Sequence, residues 1–414
     1  MRDLVVFELK KIVARKVTRV SVLALFALTA LVFGLNVFQQ VAFDEQGRQL
    51  GGFAAIEQNR SYAEALEGPL TDETAAEAIA SYARFFDERG DVLESVETDE
   101  QARAEFTRFD AANGSYLYLI LTPSMNGYEP TGVVASRVAS SGADDLYGAR
   151  EKRLERQLDE GMNGSWTYSD AERALWTEKL HAVPTPVAYG YAGGWSGILD
   201  CINFLFFGIV AVCIGIAPVF AAEYQDRTDA VILSTRYGKS KLVAAKIIAA
   251  FAFATAVFAA NAAVAGGIPL ACYGAAGADL PVQLNGLAIP YDVTMSQAVG
   301  ICLGIGYLVT LGLTALTLLL SARMKSPLSI FAIAAAVVVL PGFLPKTPFG
   351  IVNHLLYLAP MNSIDFTNLF NALVSYPFGT LVLDLQTMAV VLQVAVIALC
   401  VPLAAWSFRR HQVS

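Results

Sequence analysis

One short stretch sets Glu223, Asp226, Arg227, Thr228, Asp229, Arg236 and Lys239 between two runs, Cys201–Ala222 and Ile247–Tyr273, that hold no charged residue. The chemistry open to such residues is recognition rather than bond making. Charges of both signs flank the apolar cluster Ala230–Leu233, so the piece can lie along a membrane surface and present charge to a soluble partner. The plainer alternative is a solvated loop held by anionic lipid. Gly238-Lys239-Ser240 looks like the end of a phosphate-binding loop, but that motif needs glycine at 233, where Leu233 stands. Nucleotide hydrolysis by this chain is therefore not expected.

Other chemistry is equally poorly supported. There is no H-E-x-x-H and no G-x-S-x-G, and the histidines are His181, His354 and His411. Cys201, Cys213, Cys272, Cys302 and Cys400 fall in or beside apolar runs, as small core residues do. No disulfide framework, catalytic residue or metal site is assigned.

The elements around the loop follow from hydropathy and charge. Hydrophobic residues make up 55% of 414 positions, and the mean hydropathy is +0.49. Charge is segregated: residues 44–179 hold 27 acidic and 13 basic side chains, while the rest of the chain is net basic. Six apolar spans are expected at Val20–Val41, Gly197–Ala222, Leu242–Tyr273, Thr294–Leu320, Leu328–Leu344 and Leu385–Phe408. Arg2 to Arg19, Arg227 to Lys246, Arg323 with Lys325, and Arg409 with Arg410 then share one side. The positive-inside rule makes that side, and both termini, cytoplasmic. The first span is too long for a signal peptide, lacks a cleavage site and reads as a retained anchor. Segment 349–378, apolar but broken by Asn353, His354, Pro360, Asp365 and Pro377, reads as re-entrant or interfacial on the outer face.

The expected fold class is mainly α, a polytopic protein with six transmembrane helices and a helical extracytoplasmic insert between spans one and two. Its divisions are 1–43, an amphipathic helix plus the first span; 44–194, the acidic domain; and 195–414, the remaining spans with loop 223–246. In the insert, Thr74 with Glu77 and Ser169 with Glu172 predict capping boxes, and Asp145–Gln157 a helix that turns Leu154 and Leu158 inward. Pro184, Pro186 and Gly190–Gly194 form the hinge back to the membrane. Polar groups inside spans are few. Asp200, Asn203 and Asn261 are candidates for a translocation path, although Asp200 also suits a solvated helix end. Gly300, Gly304 and Gly312 permit close helix contact within the bundle.

Glu223, Thr228, Ile232-Leu233-Ser234-Thr235, Tyr237-Gly238-Lys239 and Lys246 follow a second span, and Phe7-Glu8-Leu9-Lys10-Lys11 precedes the first. In these features the chain resembles the permease subunits of type-2 ATP-binding-cassette exporters. Arg227 and Arg236 depart from the glycine and proline usual there, and the insert is not covered. The resemblance implies a bacterial cell-membrane protein whose loop 223–246 docks into a separate cytosolic ATPase that binds ATP and Mg. It also implies a second permease copy or paralogue, and a helix Asp3–Val17 lying on membrane lipid through Phe7, Glu8, Lys10, Lys11 and Arg15. No cofactor is expected in the chain itself, and nucleic acid is not a partner. Export of an amphiphile (a peptide antibiotic or lipid) or a small ion is the leading expectation. The acidic insert suits cationic peptides, or simply solubility. The alternative is a membrane scaffold or sensor that binds a ligand through the insert and transports nothing.

Overall fold

A computed structural model describes residues 1–141, 145–227 and 240–410. The chain opens with α1 (Arg2–Ala14) and α2 (Lys16–Phe38), separated by the extended backbone of Arg15. The first helix therefore stops three residues before the expected Val17, and the span helix begins at Lys16 rather than Val20. Arg15 is the corner. A short hairpin follows, β1 (Val41–Phe43) with β2 (Gln49–Gly51), then α3 (Gly52–Ala65) and β3 (Gly68–Leu70).

The rest of the insert is helical: α4 (Asp72–Ala83), α5 (Glu94–Thr98), α6 (Glu100–Leu121), α7 (Thr131–Ser141), α8 (Leu146–Gly164) and α9 (Asp170–His181). It ends in β4 (Val187–Tyr189), which pairs antiparallel with β3, Gly68 opposite Tyr189. The two ends of the insert are thus clasped together. Ser169 and Glu172 form the expected capping box, and Leu154 and Leu158 are buried. The other box differs. Thr71, not Thr74, caps α4, and Thr74 is its partner because its hydroxyl already reaches the Thr71 backbone.

Among the described residues, five helical stretches are long and apolar enough to cross a membrane: Lys16–Phe38, Gly193–Gln225, Lys241–Tyr273, Met295–Arg323 and Leu385–Arg410. The second comprises α10 (Gly193–Cys201), α11 (Phe206–Ile216) and α12 (Pro218–Gln225). The others after the insert are α13 (Lys241–Tyr273), α14 (Met295–Arg323) and, after further elements, the last helix. The expected fifth span is shorter, an apolar helix over Pro327–Phe343 that includes α15 (Pro327–Val339) and ends where Pro341 tightens the chain. Segment 349–378 contains only α16 (Gly350–Tyr357), a single turn, α17 (Phe366–Phe370) and β5 (Ser375–Phe378), none long enough to cross. β5 pairs with β6 (Leu381–Asp384), which leads into α18 (Leu385–Arg410).

Close packing in the bundle uses glycine selectively. A methyl at Gly312 would collide with Gln393 on α18, but one at Gly300 or Gly304 would meet nothing. Those two face away from the bundle, so the expected in-chain contact holds at Gly312 alone.

The insert is not separate from the helix ends beside it. Tyr168 donates to the Leu373 carbonyl (2.9 Å), and Ser375 donates to Glu172 (3.0 Å). Lys179 pairs with Asp384 at 2.8 Å, and Asp384 also caps α18 through the Thr387 N–H. One apolar cluster accordingly runs from Leu154 and Trp176 of the insert through Tyr291 and Phe370 to Ile198 and Val309 of the spans.

Candidate functional site

The site is a knot of charge where α1, α12 and α13 meet. Helix α1 buries the stripe Glu8–Ile12, spaced four residues apart and hence on one face. Lys246, one turn into α13, is 1% exposed. Its ammonium donates to Glu8 Oε2 at 2.9 Å, to Glu223 Oε1 at 2.8 Å and to the Val219 carbonyl at 3.2 Å. Lys11 supplies Glu223 with a second cation, and Arg15 donates to the Pro218 carbonyl. Burial pushes the Arg15 guanidinium below its ordinary value, against the opposing pull of Glu223, Glu8 and Asp226. Burying ions costs several kcal/mol each, so charges are kept in such a place only when paired and hydrogen-bonded. Here Lys246 bridges two carboxylates, Lys11 pairs with one of them, and Arg15 acts on both through space.

The same short helix, α12, is held from its other side. Pro218 has no N–H and interrupts the helical ladder. Ser321 of α14 repairs the break: its Oγ accepts from the N–H groups of Phe220 (3.0 Å) and Ala221 (3.1 Å) and donates to the Ala217 carbonyl (2.7 Å). Tyr224 donates to the Ala322 carbonyl at 2.9 Å, and Phe220 packs on Phe408 of α18 with ring centres 4.7 Å apart. An apolar cluster with Ile12, Val212, Phe220 and Val243 encloses the knot. Helix α12 thus forms one rigid handle, fastened to the helix preceding the first span and to three others.

The residues singled out from the sequence divide as follows. Glu8, Lys11, Arg15 and Glu223 converge on the knot. Phe7 is 62% exposed, and Phe7 and Lys10 sit on the opposite face of α1, with exposed Val6 and Val13. Glu8 and Lys11 turn inward to partners of opposite charge rather than outward. Asp226 and Arg227 are exposed at the end of α12, where Arg227 takes a left-handed φ of 52°. Thr228, Asp229, Arg236 and Lys239 lie outside the described residues.

Asn261 is fully buried, accepts from Thr29 Oγ1 at 2.8 Å and donates to the Leu205 carbonyl at 3.3 Å, so it stitches three spans together. Asp200 lines a small cavity of about 140 Å³ with Gln40, Asn59 and Ser196. The buried Oδ1 of Asn203 has no hydrogen-bond partner among the described residues. Sequence reasoning missed Ser321 and Tyr224, and places Lys246 in the coupling loop without showing that it is buried against Glu8. A lone serine near the end of a long apolar helix, and a lysine one turn into another, were the available signals.

Taken together, membrane-length apolar helices packed in one bundle define a polytopic membrane protein. The chain belongs to the ABC-2 family transporter proteins, whose family model matches residues 6–413. Members of that family are membrane components of transporters that work with an ABC ATPase. No curated protein and no solved structure matches the chain.

Proposed function

We propose that the chain is the permease subunit of an ABC exporter, driven by ATP hydrolysed with Mg on a separate cytosolic subunit, and that force enters through the segment 223–246. The observation that carries this reading is the position of α12. It leads directly into the charged loop, and it is clamped by Glu223–Lys246–Glu8 and by Ser321 to the helix preceding the first span and to the ends of the third and fourth spans. A push on the exposed Asp226–Arg227 end would therefore be delivered to several helices at once. A conformational change needs contacts that differ between states, and a docked charged handle supplies them.

In this reading the knot is cytoplasmic, as its basic character requires, and the insert lies on the far side of the membrane. The face of α1 carrying Val6, Phe7, Lys10 and Val13 rests on lipid at the inner surface. The exposed apolar faces of α2 (Leu23, Leu31) and α18 (Val394, Leu399) suit lipid or a second permease copy. Asp200 and Asn203 near the outer end of the second span mark the path taken by an amphiphilic or ionic cargo. The test is to express the chain with its ATPase and compare wild type with Asp226→Ala/Arg227→Ala. Assembly or ATP-dependent transport should fall sharply. Unchanged assembly and transport would remove the coupling role.

A further inference from the structure

A cavity of about 410 Å³ lies in the insert, at the β3–β4 clasp between α4 and α6. That volume is within the range of small-molecule sites. Its walls combine two carboxylates, Glu67 and Glu77, with the rings of Phe109, Tyr116 and Tyr189 and the amide of Asn113. Tyr116 and Tyr189 meet edge to face, ring centres 4.9 Å apart, so their planes are set at right angles. No lysine or arginine lines the cavity. The neighbouring Arg84, which reaches the Phe109 ring at 5.9 Å, is engaged with Glu105 at 2.7 Å.

Carboxylates and π-faces share one preference. Each attracts positive charge, and a ring face also accepts an apolar body. An anion would meet two like charges, and a neutral apolar ligand would gain nothing from the two glutamates. We infer that this cavity is a binding site for a small organic cation, an ammonium group carried on an aromatic or aliphatic body. The ammonium lies between Glu67 and Glu77, and the body rests against Phe109, Tyr116 and Tyr189. The clasp that carries Tyr189 continues into Gly190 and α10, so the occupied site lies next to the chain's return into the second span. This binding does not depend on the coupling role of α12.

The test uses the full chain in lipid nanodiscs and isothermal titration with benzyltrimethylammonium, with 2-phenylethanol as a neutral body of similar size. The cation is expected to bind and the alcohol to bind roughly tenfold more weakly or worse, since cation–π and ionic contacts of this kind are each of order one decade in affinity. Glu67→Gln/Glu77→Gln should lose at least about tenfold, as should Tyr189→Leu. Glu73→Gln, on α4 but outside the cavity, should leave affinity unchanged. Both glutamates are exposed, so the double variant keeps its fold, which its unfolding curve verifies. Absence of cation binding, equal binding of the alcohol, or a double variant that binds like wild type would each overturn the inference.

Discussion

Lys246 Nζ stands 2.9 Å from Glu8 Oε2, and through that contact the helix that precedes the first span is fastened to the base of the third. The pair is buried on both sides and continues to Glu223 at the end of the second span. Lys246→Met would strand Glu8 in a dry environment. Breaking one partner of such a pair costs about 3–5 kcal/mol. Adding Glu8→Gln should recover part of that loss, because the stranded charge disappears. A double-mutant cycle on thermal unfolding measures this, and simple additivity of the two losses would show that the pair is not coupled.

Ser321 fills the gap made by Pro218. Ser321→Ala leaves the N–H groups of Phe220 and Ala221 and the Ala217 carbonyl without their bonds, at a cost of about 1–3 kcal/mol. The loss should localise. Hydrogen exchange is expected to rise over α12 and stay near wild type in the insert.

Gly208 faces Asn261 so closely that an added methyl would lie 2.6 Å from its Nδ2. Gly208→Ala should therefore push Asn261 off Thr29 and destabilise the chain by about 1–3 kcal/mol. The gain in helix propensity from alanine, about 1 kcal/mol, only partly offsets this. Unfolding at or above the wild-type temperature would contradict the seam described here.

Asp384 serves three partners: Lys179 in the insert, the Tyr291 hydroxyl and the first turn of α18. Asp384→Asn keeps an N-cap and loses the ion pair, whereas Asp384→Ala loses both. The alanine variant should expose the start of α18 to hydrogen exchange more than the asparagine variant does. Lys179→Met should match the asparagine variant.

Glu129 is held down to about 2 chiefly by hydrogen bonds from Arg137 (2.9 Å each), with the Asn126 N–H adding to them. Its folded value lies below its ordinary value of roughly 4.3. The stabilisation is thus complete above that ordinary value and disappears as pH falls through about 2. Glu129→Gln should make the turn at residues 122–130 exchange faster than wild type at pH 6. The difference should shrink steadily below about pH 4.

The sequence carried the helical spans and the handle in outline because both are local patterns: uncharged runs of membrane length, and charge packed into the short gap between two of them. Ser169 with Glu172 was legible for the same reason, a device contained within four residues. What was not legible was long-range. Nothing local says that Glu8 and Lys246, 238 positions apart, share one ion pair, so from spacing alone Glu8 belongs with the lipid-surface residues. Nor does spacing alone reveal that Gly312 packs on Gln393 while Gly300 and Gly304 face outward. The clasp of β3 on β4 escaped notice because each strand is only three residues long. The corner at Arg15 has no proline or glycine to announce it.

The proposed coupling requires α12 to be the point where another subunit takes hold, on the cytoplasmic side. The most direct test places single cysteines at 226 and 227 in a chain whose five native cysteines are replaced, co-assembled with its ATPase. Thiol cross-linking to the ATPase should occur in membranes and change in yield between ATP-bound and nucleotide-free states. Labelling of either position in intact cells by a membrane-impermeant maleimide, with no cross-link to the ATPase in any nucleotide state, would contradict it.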